Sequence, residues 1–202
     1  RNLHSFPTRR SSDLVENQTD EEIMCRLQNG DIDKSSILFE RYHLKIYNYF
    51  LRNTYDRELS MDLSQNLFLR MLKYRQSYDS KMPFKTWLFS IARNLFLDST
   101  KFKFRNMEPL EKVNVETLAE NECNQDEDEK LYRALAALSE SERELIELSR
   151  FQHLKYHEIA SMMNLSEVNV KVRIHRAISR LREIYFKDRK STRLNSSHRI
   201  RS

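Results

Sequence analysis

Apolar residues recur along this chain at helical spacing, in blocks separated by polar caps and stop signals. The first block, Asp20 to Gln28, ends at Asn29-Gly30, where glycine accepts the left-handed backbone that closes a helix. A second runs through ILFERYHLKIYNYFLRN, residues 37–53, and a third covers Arg57 to Lys73. A fourth follows Met82-Pro83 and covers Phe84 to about Phe102, with the proline where its missing N–H costs nothing. Further helices are predicted near Asp128 to Ala137 and at Glu140 to Phe151. In YHEIASMMNLSEVNVKVRIHRAISRL, residues 156–181, the pattern predicts a short helix, a tight turn at Met163-Asn164-Leu165, and a longer helix capped by Ser166. Val170, Ile174, Ala177, Ile178 and Leu181 form the apolar stripe of that last helix, while its outer face is basic. Two short helices joined this way make a helix-turn-helix, whose second helix fits a DNA major groove.

The predicted fold class is therefore all-α. A single Gly and three Pro in 202 residues agree with this, since β-rich and loop-rich folds use many more. Two small helical domains are expected, 20–105 and 129–188, the second holding the helix-turn-helix. Between them, residues 106–128 read as a flexible acidic linker with Pro109 and little apolar periodicity. Residues 1–14 and 191–202 are Ser-, Arg- and Asn-rich without helical period, and read as disordered or non-native tails.

Charge sharpens this division. The net charge of +5 resides entirely in the tails, which contribute +2 and +3, so residues 15–190 are neutral. Within them the blocks 15–35, 36–105, 106–130 and 131–190 carry −4, +7, −7 and +4. Two basic domains joined by an acidic segment point to nucleic acid through distribution rather than through isoelectric point.

Other classes find little support. No apolar run approaches the roughly 20 residues of a membrane span, so no membrane insertion is expected. Cys25 and Cys123 are far apart and lack a CxxC partner, which signals neither zinc nor a disulfide framework and fits a reducing cytoplasm. His153 and His157 have no third ligand or HExxH pattern and read as solvent-exposed. One Gly excludes a glycine-rich phosphate loop. No cofactor, metal or catalytic residue is signalled, and the chain does not read as an enzyme.

Three stretches carry candidate function. In DLSQNLFLR, Asp62 to Arg70, the residues Asp62, Gln65, Asn66 and Leu69 share the side opposite the core stripe. Amides and a leucine facing outward suit a protein contact, although spacing alone favours an ordinary surface. In Tyr74 to Arg105, Thr86, Ser90, Arg93, Asn94 and Lys101 lie away from the stripe Leu88-Ile91-Ala92-Leu95, and the preceding loop offers Tyr74, Tyr78, Lys81 and Phe84. Bases stack on rings and amides read base edges, so the mixture suits a single strand. The competing reading makes Phe84 and Trp87 simple core aromatics. In the last helix the first turns present Glu167, Asn169, Lys171, Val172, Arg173 and Arg176 as base and phosphate contacts.

Together the two halves resemble the bacterial sigma factors of RNA polymerase, specifically the small two-domain extracytoplasmic-function group, over about Asp20 to Phe186. DLSQNLFLR resembles that family's motif for docking on the β′ clamp helices. PFKTWLFSIARNLFLD resembles its promoter −10 segment, and LSESERELIELSRFQHLKYHEIASMMNLSEVNVKVRIHRAISRLRE its −35-binding domain. The resemblance implies a factor that binds core polymerase through Asp62, Gln65, Asn66 and Leu69, with the β flap as a further contact. It implies capture of a flipped −10 base by the loop Tyr74–Lys81 and the face with Arg93 and Asn94, with Lys101, Lys103 and Arg105 along phosphates. It also implies an anti-sigma partner and a monomer when free. The chain departs from many relatives at Val168-Asn169, where they carry Gly-Thr, so its −35 preference is expected to differ. A stand-alone helix-turn-helix regulator is the alternative. It is opposed by the single-strand-like first domain and the lack of an evident dimer helix.

Overall fold

The computed structural model describes the backbone of residues 18–105 and 125–198, and the side chains of 18–101 and 130–187. Among the described residues the regular elements are helical throughout. They are α1 (Asp20–Gln28), α2 (Ser35–Thr54), α3 (Arg57–Lys73), α4 (Phe84–Arg105), α5 (Gln125–Ala136), α6 (Glu140–Ile146), α7 (Tyr156–Met163) and α8 (Glu167–His198).

The boundaries follow local chemistry. Thr19 and Glu22 close a capping box at the start of α1, and Asp56 accepts from the Leu59 N–H at 2.9 Å to start α3. Ser139 and Glu142 form a second capping box ahead of α6. Tyr55 stops α2 in the left-handed conformation (φ 54°), leaving only Asp56 before α3, so these two helices pack as an antiparallel hairpin.

Helices α1 to α4 enclose the main core. Ile23, Met24 and Leu27 of α1 meet Leu38, Tyr42, Ile46, Tyr49 and Phe50 of α2, Leu67 and Met71 of α3, and Phe84, Leu88, Phe89 and Ala92 of α4. Its aromatic rings meet edge to face, Tyr49 against both Phe50 and Phe89 with centroids 5.3 and 5.4 Å apart. A smaller cluster of Leu135, Leu138, Ile146 and Ala177 ties α5 and α6 to α8. The main core continues across the domain boundary, taking in Leu145, Leu148, Leu154, Ile159, Ala160, Val170 and Ile174.

Three expectations need correction. The acidic linker stops earlier than predicted, because α5 begins at Gln125 and takes in Asp126, Glu127 and Asp128; acidic residues at a helix start are favoured by its positive end. Its remainder, 106–124, and Cys123 within it lie outside the described residues. The helix predicted over Glu140–Phe151 is α-helical only to Ile146. It then widens into a π-turn over Glu147–Phe151, closed by the Gln152 N–H donating to the Glu147 carbonyl at 2.9 Å. Residues 191–198, read as a disordered or non-native tail, are helical in backbone and continue α8, since extending an established helix is far cheaper than starting one. The N-terminal tail, 1–14, and residues 199–202 lie outside the described residues.

Candidate nucleic-acid and polymerase interfaces

The helix-turn-helix forms as the pattern predicts. Asn164 takes the left-handed conformation (φ 53°), and the Leu165 N–H returns to the Ala160 carbonyl at 2.9 Å, the wrap that ends a helix with a reversal. Ser166 then accepts from the Asn169 N–H at 3.3 Å and starts α8. Val170, Ile174 and Ala177 are buried, which turns the other side outward. Glu167, Lys171, Val172, Arg173 and Arg176 are exposed and Asn169 is half-buried. Asn169 Oδ1 accepts from Arg173 Nε at 2.8 Å, so these two polar groups are already held to one orientation one helical turn apart.

On α3 the candidate polymerase face is a continuous exposed strip. Asp62, Gln65 and Asn66 are exposed, and Leu69 is 67% exposed while its neighbours Leu67 and Phe68 are buried. Phe39 of α2, which sequence reasoning passed over, is also exposed. It packs its ring edge-on against Phe68 with centroids 4.9 Å apart and stacks on His43. Its signal was an aromatic residue off the core stripe of its helix.

The strand-binding candidates divide. Tyr74, Lys81, Asn94 and Lys101 are exposed; Ser90 and Arg93 are half-buried. Tyr78, Phe84 and Thr86, expected at the nucleic acid, are instead only 4%, 0% and 4% exposed, so the structure corrects their placement. The cause is packing. Phe84 opens α4 against α1 and α2 and meets Tyr42 and Tyr78 edge-on at 5.5 and 6.1 Å; Trp87 joins at 5.3 Å from Tyr78. Burial pushes the Tyr78 hydroxyl up to about 12, and that hydroxyl donates to the Met82 carbonyl at 2.7 Å. Trp87 is half-buried at the edge of this cluster. The rings thus form the floor on which the loop stands. The side chains of Lys103 and Arg105 lie outside the described residues.

That loop is further pinned by α1. Gln28 Nε2 donates to the carbonyls of Arg75 and Tyr78 at 3.0 and 2.9 Å, and Arg75 Nε returns to the Leu27 carbonyl at 3.2 Å. Glu21 reaches over to accept from the Phe84 N–H at 2.9 Å and caps α4 from another helix. Gln28 and Glu21 gave no local signal, because their partners stand 47 to 63 residues away.

Arg93 has a partner from the other domain. Its Nε lies 2.9 Å from Glu144 Oε1 on α6, close enough for an ion pair and off the line that a hydrogen bond requires. Among the described residues no group of His, Cys, Asp and Glu is arranged to hold a metal, and no helix is long and apolar enough to cross a membrane.

Comparison with known proteins agrees with this geometry. Residues 38–103 match Sigma-70 region 2, and residues 128–181 match Sigma-70, region 4. The ECF RNA polymerase sigma factor SigM of Bacillus subtilis is 31% identical over 153 residues, covering 73% of this chain and 93% of the relative. RNA polymerase sigma factor YlaC of the same organism is 28% identical over 169 residues, covering 80% and 98%. The fold is that of the sigma factor RpoE solved in complex with the anti-sigma factor NepR from Bartonella quintana. The TM-score there is 0.65 at 20% identity, over 74% of this chain and 94% of that one. Two sigma regions in order, on the helices that expose the polar strip of α3 and the basic face of α8, leave one assignment: this chain belongs to the extracytoplasmic-function sigma factors of the sigma-70 family, which direct RNA polymerase to promoters.

Proposed function

We propose a division of labour among three surfaces of this sigma factor. Asp62, Gln65, Asn66 and Leu69 of α3 dock on the β′ clamp helices of core polymerase, with the β flap holding the second domain. Asn94 and Arg93 of α4, with Ser90, Tyr74, Lys81 and Lys101, hold the non-template strand at the −10 element. Tyr78, Phe84 and Thr86 act from beneath by fixing the loop. Glu167, Asn169, Lys171, Val172, Arg173 and Arg176 of α8 lie in the major groove of the −35 element. Asn169 suits an adenine edge, Arg173 and Arg176 suit guanine or phosphate, and the exposed Val172 suits a thymine methyl.

The observation that carries this reading is the way α3 and α8 divide their surfaces. Each buries its apolar stripe and leaves the named residues outward, including a leucine and a valine that no core claims. Such exposed apolar residues set among amides and cations mark contact surfaces. Opening DNA follows without bond chemistry in this chain. A flipped base and separated strand expose faces and edges that duplex hides, so binding free energy favours the melted form.

The same reading makes the free chain a monomer that works in the cytoplasm beside the polymerase. It also gives the chain an anti-sigma partner, by analogy with solved relatives of this fold such as RpoE with NepR. The test mixes the full chain with sigma-free core polymerase and a promoter-library template. Transcripts with defined starts that need both components support the reading. Tight duplex binding without polymerase, and no transcripts, replaces it with the stand-alone regulator.

A further inference from the structure

Gln28, at the end of α1, and Gln76, in the loop ahead of α4, exchange bonds across 48 residues of sequence. The half-buried Gln28 uses Nε2 twice, on the Arg75 and Tyr78 carbonyls that flank Gln76. Gln76 Nε2 donates back to the Gln28 carbonyl at 2.7 Å. Between these bonds the chain makes one 3₁₀ turn, Arg75–Ser77. Neighbouring polar side chains are spent inside the structure. Arg75 turns to the Leu27 and Leu72 carbonyls, Ser77 to the Tyr74 carbonyl, and Asp79 to the Lys81 N–H. Gln76 differs: it is exposed, and among the described residues only its nitrogen is engaged.

That half-spent amide has a chemical consequence. A free glutamine turns its amide over and offers a base edge either a donor or an acceptor. Gln76 has lost that freedom, because turning over would set Oε1 against the Gln28 carbonyl and forfeit the bond. Oε1 is left as an open acceptor at a fixed place. An exocyclic amine satisfies such an acceptor, and adenine and cytosine carry one. Guanine and thymine carry a carbonyl oxygen at the same position, which it repels. The remaining Nε2 hydrogen suits the ring nitrogen beside that amine, an acceptor in adenine and cytosine and an N–H in guanine and thymine. The exposed Tyr74, two residues away, offers a ring on which the base can stack.

We propose that Gln76 selects the flipped −10 base and that Gln28 is its positioning residue, the pair favouring a base with an exocyclic amine. This rests on the assignment of the Tyr74–Lys81 loop to the −10 strand. Loop closure alone explains the bonds of Gln28, but it has no use for an exposed amide fixed by its nitrogen.

The experiment uses the full chain with core polymerase on a promoter it transcribes. Each non-template −10 position carries the four bases in turn, and open complexes are measured after heparin challenge. At one position adenine or cytosine is expected to exceed guanine and thymine by about tenfold, the worth of one well-placed base contact. Replacing the favoured base by its analogue without the amine, purine for adenine or pyrimidin-2-one for cytosine, is expected to cost as much. Gln76→Ala is expected to abolish both differences with thermal unfolding nearly unchanged. The isosteric Gln28→Glu, which sets oxygens against the Arg75 and Tyr78 carbonyls, is expected to reduce them at unchanged affinity for core polymerase.

A base preference that survives Gln76→Ala overturns the proposal, and so does a loss shared equally by all four bases, the mark of a merely structural loop. A preference for guanine or thymine that Gln76→Ala removes overturns the assigned chemistry. Undiminished selection in Gln28→Glu overturns its positioning role. Failure of the −10 reading itself would leave Asn94→Ala silent as well. With that reading intact, Asn94→Ala still weakens −10 use whatever Gln76 does, so the two failures are distinguishable.

Discussion

The two helices proposed to face DNA, α8 and α4, are constructed on opposite plans. In α8 the proposed readers stand on an open ridge, and what holds the ridge is local: Asn164 in the left-handed turn, Ser166 as cap, and Val170, Ile174 and Ala177 beneath. In α4 half of the candidate face is shut. Tyr78, Phe84 and Thr86 lie inside, and Arg93 is held by Glu144 of the other domain. A duplex needs only a preformed edge to fit its groove, so exposure suffices. A single strand has to be caught in a shaped loop, and the shaping consumes aromatic side chains that composition alone assigns to the nucleic acid.

The largest blow to this contrast is Phe84→Ala. Truncating a fully buried phenylalanine costs about 3–5 kcal/mol, and here it also removes the floor of the Tyr74–Pro83 loop. Urea denaturation is expected to show that loss, with −35 contact by α8 retained in the polymerase complex formed by whatever folded fraction remains. A smaller Phe84→Ala effect, comparable with a surface substitution, would mean that Phe84 is not part of the floor.

Next come Asn94→Ala and Arg176→Ala, each removing about 1–3 kcal/mol of nucleic-acid contact with stability untouched. Promoters substituted singly at the −10 or the −35 element sharpen the contrast. Asn94→Ala is expected to lose its sensitivity to −10 changes only, and Arg176→Ala to −35 changes only. Leu69→Ala is expected to weaken capture by core polymerase in a pull-down while leaving the melting temperature of the free chain unchanged, because Leu69 contributes no core.

Ser166→Ala is a gentler probe of the open face, worth about 1 kcal/mol as a lost helix cap, read by thermal unfolding. The smallest effect concerns pH at the closed face. Burial raises the Glu144 carboxyl above the ordinary range, with Glu140 adding to it and Arg93 opposing. The folded chain therefore keeps this proton to higher pH than the unfolded chain. Stability from it is complete below the ordinary carboxylate value and is lost as pH rises through the raised one. Glu144→Gln, which mimics the protonated form, is expected to flatten that part of the stability profile.

What was legible in the sequence is what neighbouring residues decide among themselves. The bounds of α1 and α3, the start of α4 and the turn at Asn164 came from caps, proline and periodicity. The outward side of α8 came from its stripe. The contact between the two domains was not legible, because Arg52 and Glu147, which pair across it at 2.6 Å, are 95 residues apart and each alone looks like a solvated charge. Neither was the π-turn, whose pattern over Glu140–Phe151 suits an ordinary helix equally well. For Phe84 the sequence left strand contact and core open, and the burial of Tyr78 and Thr86 was missed for the same reason: aromatic and polar residues in and beside a loop do not reveal which side a distant helix will cover.

The most direct test places a photocrosslinking residue at position 94 in one protein and at 176 in another, each assembled with core polymerase on one promoter. The account predicts that position 94 marks the non-template strand of the −10 element and nothing upstream. Position 176 marks the −35 duplex alone. Both positions marking the same element, or position 94 marking only duplex DNA, would contradict it.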